Sequence, residues 1–202
     1  MREPQPEPRY TDETFAGWDG SRPGLGGGPQ VAGAILVGCT FSDCTLSEMS
    51  FRGSHLAECR FERCDVALAD FTDTVFQDVV FDACRLTGNH FDTLKTGALG
   101  IIARFERSDL SYCSFRKLDL TACVFVDCTT TDAEFVQCEL EGVSFEGCDL
   151  NRCTFHANNL MNADLRSAKN YVISPFGNRV KGMRVTMPEA LSLLGELGVD
   201  LS

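Results

Sequence analysis

The chain has 202 residues, 44% of them hydrophobic, and its 29 Asp and Glu against 18 Lys and Arg give a formal charge of −11. That length and apolar content suffice for one folded domain, and the charge argues against direct binding to nucleic acid or to an anionic membrane and for a basic partner. No segment approaches the about 18 consecutive apolar residues of a membrane span. The opening MREPQPEPRYTDET lacks the apolar stretch of a signal peptide, so a cytoplasmic protein is expected.

In chain order, residues 1–8 are polar and Pro-rich and read as a disordered tail. Tyr10, Phe15 and Trp18 are large enough to cap the first coil of whatever follows, and SRPGLGGGPQ reads as a flexible loop, which makes 1–30 either an N-terminal tail and loop or part of that first coil. A repeat then begins. Stepping by five from Leu36 reaches Phe41, Leu46, Phe51 and so on to Phe91, and every stop is a large apolar residue. After a break, the same step from Phe105 runs to Leu165 with one departure, Thr130. Two residues before each stop lies a smaller residue, from Ala34 and Cys39 to Ala163, and all eleven cysteines fall in this second series. Across the fifty positions of the two series there is no Asp, Glu, Lys or Arg, although these form 23% of the chain.

A period of five fits neither a helix nor a plain strand. The two inward positions are two residues apart, the spacing of same-side residues in extended chain. Each pentapeptide is therefore a short extended segment plus a corner, and stacked corners make a solenoid. The cysteines are small apolar filler for a tight interior. Their spacing lacks the paired C-x2-C and His pattern of a metal site, so no metal or other cofactor is expected, although neighbouring coils approach disulfide distance.

This pattern of small, polar, Leu or Phe, then two polar residues resembles the pentapeptide-repeat family. The resemblance implies an all-β solenoid, a right-handed quadrilateral β-helix of four pentapeptides per coil, over residues 31–170. About six coils at roughly 4.8 Å each make a rod of about 30 Å. On such a square, two opposite walls are Phe-rich and the other two mostly Leu.

Phe91 and Phe105 are fourteen residues apart rather than fifteen, so the register slips by one between 92 and 104. Two readings stand. Either this is a kink whose Leu94, Leu99, Ile101 and Ile102 plug the core, or it is a projecting bend in which Leu94, Lys95 and Arg104 contact a partner.

Residues 171–202 form a C-terminal cap. Within TMPEALSLLGELGVDLS, Thr186, Pro188 and Glu189 have the T-x-x-E spacing of a helix-capping box, and Gly198 suits the stop of a short C-terminal α-helix. Met187, Leu191, Leu194 and Leu197 are its candidate contact residues. The tail resembles the ends of the quinolone-resistance (Qnr) and albicidin-resistance members of the family, which implies a homodimer through this end. Doubled, the rod spans about 60 to 70 Å, comparable with two turns of B-DNA at about 34 Å each.

From 118 to 151 there are eight acids, Asp119, Asp127, Asp132, Glu134, Glu139, Glu141, Glu146 and Asp149, and no Lys or Arg. All take outward positions, and they are either a solvated surface or an acidic face near the middle of the dimer. His55, His90 and His156 stand apart, no nucleophile and base converge in a motif, and no enzyme is expected. The family resemblance implies a DNA mimic that binds DNA gyrase or topoisomerase IV and protects it from a poison. The other reading is a structural or adaptor solenoid with an unrelated protein partner.

Overall fold

A computed structural model describes residues 7–20, 31–97 and 100–199. Parallel three-residue strands stack with partners twenty residues apart: Leu36 lies on Leu56 and Phe41 on Phe61. Four pentapeptides therefore complete one coil. The walls are numbered here from the one holding Leu36: Leu36 on the first, Phe41 on the second, Leu46 on the third and Phe51 on the fourth.

The period of five has a backbone cause. Among the described residues nineteen other than glycine have positive φ, including Asp43, Glu48, Glu58, Arg63, Leu68 and Asp73, each two places after an inward Phe, Leu or Val. Each pentapeptide thus runs extended and then turns through one left-handed residue. Side chains rarely adopt that conformation unless the surroundings fix it. Cross-coil hydrogen bonds do so here, as where Asp43 N–H donates to Glu62 O at 2.9 Å and Glu58 N–H to Gln77 O at 2.8 Å.

Inside, the second and fourth walls carry two phenylalanine ladders. Rings from Phe15 and Phe41 to Phe145 stack with centroids 4.8 to 5.6 Å apart, and Phe51 to Phe155 form the opposite ladder. The ladders meet edge to face, as at Phe115 and Phe125 with 84° between planes, the arrangement ring quadrupoles favour. The eleven cysteines are all buried and unpaired. Asn158 fills one small-residue site because its amide serves two strands: Nδ2 donates to Phe135 O and Oδ1 accepts from Cys138 N–H, each at 2.8 Å. Thr130, the odd residue of the large series, is fully buried and donates to Asp149 O at 2.9 Å, so its hydroxyl is satisfied.

The coil also extends toward the N-terminus. Arg9–Thr11 and Thr14–Ala16 pair in parallel with Ile35–Val37 and Thr40–Ser42, placing Tyr10 beneath Leu36 and Phe15 beneath Phe41. Pro8 O accepts from Ile35 N–H at 2.8 Å, so residue 8 belongs to the sheet rather than to a tail. Residues 1–6 and the loop expected at 21–30 lie outside the described residues.

The slip of one proves to be a net gain of four. Gln77 pairs with Ile102, 25 residues on, and Phe81 with Phe105, 24 residues on, with a bulge between Gln77 and Val79. One extra pentapeptide enters and one residue is lost at the corner opposite Asp78. Ile101 takes the inward place above Phe76, and Leu94 is 6% exposed, so both plug the core; Leu99 lies outside the described residues. Gly100 has φ +71°, and a Cβ there would sit 3.0 Å from Asp119 O, so only glycine closes this excursion.

At the other end, helix α1 spans Leu191–Glu196. The expected capping box does not form. Thr186 Oγ1 donates instead to Arg166 O at 2.6 Å, tying the segment to the preceding coil, and the helix starts later. Its stop is as expected: Gly198 has φ +74°, with Gly198 N–H on Gly195 O and Val199 N–H on Leu194 O.

Candidate partner-binding surface

A chain that turns a corner every five residues cannot keep a run of acids on one wall. Asp119, Glu139 and Glu141 lie on the first wall, Asp127 and Glu146 on the second, Asp132 and Asp149 on the third, and Glu134 on the fourth. The expected single acidic face is therefore a belt, for this geometric reason. Burial and pairing then divide it. Asp132 is half-buried and held by Arg152, with Nε to Oδ1 at 2.8 Å, which keeps its carboxyl below the usual range. Glu134 is half-buried against Arg116, and Asp149 is half-buried and accepts from Asn170 Nδ2 at 2.8 Å.

The remaining five, Asp119, Asp127, Glu139, Glu141 and Glu146, are exposed, and no ion pair joins any of them to Lys or Arg among the described residues. They occupy two adjoining walls and make a continuous anionic strip.

Of the residues proposed at the register break, Leu94 is buried and unavailable to a partner. Lys95 is exposed, with its N–H on Thr74 O at 2.9 Å, and Arg104 lies in the regular strand Ile102–Glu106, where it pairs with Glu106 at 3.0 Å. The three do not form one surface.

Apart from Leu68 and Tyr112 on the solenoid, the large exposed apolar side chains among the described residues gather at the C-terminal end. Met187 is 66% exposed and Leu197 50%; Leu194, Val172, Phe176 and Val199 join them, whereas Leu191 is half-buried. Sequence reading missed Val172, Phe176 and Val199, which lie outside the helical stripe. It also missed a basic coil, Arg166, Lys169, Arg179, Lys181 and Arg184, all exposed, which stands between the acidic belt and that apolar end. The belt is therefore set back from the end rather than adjacent to it.

Within this coil Asp164 accepts from Arg166 at 2.8 Å and pairs with Arg184 at 3.1 Å, and the Arg166 hydrogen bonds chiefly bring its pKa down from 3.8 to about 2. A lowered folded-state pKa adds stability that is present above 3.8 and lost as pH falls through about 2. Asp164→Asn is expected to flatten the acid limb of a melting-temperature profile between those values. The effect is at most about 1 kcal/mol, because the arginines are half exposed.

The rest of the surface offers little chemistry. A hollow of about 470 Å³ on the fourth wall is lined by His90, Asp92, Tyr112, Ser114, Arg116 and Glu134, and His90 Nδ1 stands 3.8 Å from Asp92. Burial pushes the Cys113 and Cys123 thiols up to about 12, so they stay protonated and unreactive at neutral pH. Among the described residues no group of three or more His, Cys, Asp or Glu could hold a metal ion, and no helix is long and apolar enough to cross a membrane.

Two family models match the chain: "Pentapeptide repeat region" over residues 34–99 and "Pentapeptide repeats (8 copies)" over 131–169. No curated protein sequence matches. Among solved structures, trypsin-treated QnrB1, a plasmid-mediated fluoroquinolone resistance protein, aligns over 96% of this chain and 91% of its own, with TM-score 0.67 and 20% identity. HetL, a pentapeptide repeat protein involved in heterocyst differentiation regulation from the cyanobacterium Nostoc, aligns over 88% and 85%, with TM-score 0.63 and 14% identity. At such identities the likeness is one of fold, and the two proteins carry different roles on it.

Proposed function

Since the chain belongs to the pentapeptide-repeat family, we propose that it is a non-catalytic mimic of duplex DNA in the cytoplasm, binding DNA gyrase or topoisomerase IV and protecting it from an inhibitor or poison. Antibiotic resistance or self-immunity would be the outcome. The observation that carries this reading is the strip of five exposed carboxylates on two adjoining walls of a rigid rod, three of them hydrogen-bonded by Thr121 or Asn159 and none in an ion pair with Lys or Arg among the described residues. Carboxylates repeating with the coil at about 4.8 Å approximate phosphates, which recur at about 3.4 Å per strand of duplex. Phosphate contacts position a partner without reading sequence, so approximate spacing suffices. The fold shared with QnrB1, a fluoroquinolone resistance protein, supports the same direction.

The test is gyrase supercoiling and cleavage-complex formation at several poison concentrations. The expected result is restored supercoiling with fewer trapped breaks; no effect from folded protein would remove this reading. HetL supports a second one, an adaptor solenoid in regulation. Duplex DNA should compete for the partner site of a mimic and not for that of an adaptor.

The apolar end around Met187, Leu191, Leu194 and Leu197 is proposed as a homodimer interface, since exposed apolar side chains gathered at one end are what association covers. Leu194→Glu combined with Leu197→Glu should give a monomer in sedimentation experiments with the solenoid still folded. In such a dimer the two basic coils meet at the centre and the acidic belts flank them, so a partner would be engaged at two separate places.

A further inference from the structure

Toward the C-terminal end of the first wall, the outward residues fall into two columns that run along the rod. Glu139, Asn159 and Arg179 bridge one another in turn, and Glu141, Met161 and Lys181 stand in the same coils on the other side of the inward Leu140, Leu160 and Val180. Glu139, Glu141, Arg179 and Lys181 are exposed, whereas Asn159 is buried and Met161 half-buried. Three successive coils therefore read acid, neutral, base in both columns.

These bases are not engaged by carboxylates of their own chain. Arg152 holds Asp132, and Arg166 and Arg184 hold Asp164, but Arg179 and Lys181 have no ion pair among the described residues. Arg179 Nη2 donates to Met161 Sδ at 3.0 Å, and Glu139 accepts from Asn159 Nδ2 at 2.8 Å. Acid and base thus stand two coils apart, about 10 Å, without meeting.

We infer that this face pairs with the same face of a second copy, the two rods side by side and antiparallel, so that Arg179 and Lys181 of each cover Glu139 and Glu141 of the other. A two-fold axis along the strand direction at the Asn159 coil sets each column against itself and reverses its order. Acid then meets base at both ends, and the neutral coil of Asn159 and Met161 meets its own copy. A second copy presents the matching spacing by symmetry, which is the self-complementarity an isologous contact requires. Asp119, one coil further along the first column, lies outside the three matched coils.

Four cross-chain charge pairs result, each exposed enough to be modest and to weaken in salt. The matched coils cover about 15 Å of rod, far less than a permanent dimer buries, so the association is reversible. It is distinct from association through the apolar end, which salt does not screen. It also hides Glu139 and Glu141, two carboxylates of the anionic strip. Resting on the function proposed above, this makes a second copy a competitor of the topoisomerase; the pairing itself does not depend on that function.

Sedimentation equilibrium of the full-length chain tests the pairing at about 0.05 M and about 1 M salt, since at the higher value the screening length is about 3 Å. Lys181→Glu and Glu141→Lys each set like charges opposite one another. The two together exchange the charges of one column and restore acid against base. Lys169→Glu changes the net charge as Lys181→Glu does, at an exposed position of the third wall. Melting temperatures check that each version is folded.

The expected result is self-association at least tenfold tighter at the lower salt, weakened at least fivefold by each first-wall single change, and within twofold of wild type in the exchanged variant and in Lys169→Glu. Association that is insensitive to salt and to both single changes belongs to the apolar end and overturns the proposal. So does failure of the exchanged variant to recover, or a chain that does not associate at low salt. For the competition, gyrase should be half-saturated at a lower total concentration of Lys181→Glu than of Lys169→Glu, which has the same net charge. Equal values overturn the masking and leave the pairing standing. Absence of gyrase binding in every version overturns the proposed function and the masking, while the sedimentation series still decides the pairing.

Discussion

Phe115→Ala is expected to cost about 3 to 5 kcal/mol, because it removes a fully buried ring from the middle of a ladder and leaves a cavity that the flanking coils hold open. Phe115 stacks on Phe91 at 4.9 Å and Phe135 at 4.8 Å and meets Phe105 and Phe125 edge to face. Four ring contacts are lost at once. Phe15→Ala is the informative comparison: that ring is half-buried in the first coil, stacks only on Phe41, and touches Tyr10 and Trp18. In a solenoid each coil leans on its neighbours, so an end residue supports one interface and a middle residue two. Its expected cost is about 1 to 2 kcal/mol, since only part of the transfer energy is at stake. At about 2 to 4 °C per kcal/mol for a chain of this size, the two variants should melt several degrees apart. Equal losses in a denaturant titration would mean that the ladder is not a nearest-neighbour structure.

The repeat was legible because interior positions of a solenoid admit no charge, so a step of five from Leu36 meets only large apolar residues as far as Phe91. Tyr10 and Phe15 keep the same spacing, and the structure uses them as the inward residues of a first coil rather than as a lid. Arithmetic modulo five revealed that the register shifts before Phe105 but could not distinguish one residue lost from four gained. Only the pairing of Phe81 with Phe105 does that.

Thr186 shows a different limit. A T-x-x-E spacing is local, and the hydroxyl found a better acceptor twenty residues away in Arg166 O. The acids illustrate the same point for the candidate site. Neighbours in sequence are separated by corners, and Arg152 and Arg116, just outside the acidic run, fold back to pair with Asp132 and Glu134. Which carboxylates stay available was therefore decided across coils.

Reversing the charge of Glu139, Glu141 and Glu146 to Lys is expected to weaken gyrase binding by roughly 1,000-fold or more at low salt, since close charge pairs across an interface couple by about 1.5 kcal/mol or more each and every 1.4 kcal/mol is a factor of about ten. The three side chains are exposed on one coil; Glu146 sits where substitution costs about 0.5 kcal/mol or less, and reversing Glu139 also removes the acceptor of the buried Asn159 amide at 2.8 Å, a cost of about 1 to 3 kcal/mol. The variant should therefore fold, with a melting temperature a few degrees below the wild type. A general loss of negative charge is controlled by reversing Glu7, Glu13 and Glu48, also exposed but toward the N-terminal end, which changes the net charge by the same amount. Long-range steering alone would slow association in both variants and vanish as salt screens charges beyond about 10 Å. Contact within the belt predicts that only the first variant loses affinity, that the loss appears in the dissociation rate, and that protection of supercoiling against a poison disappears with it. If both variants bind equally and protect equally, the acidic belt is a solvated surface that keeps the rod soluble, and the partner is met elsewhere on it.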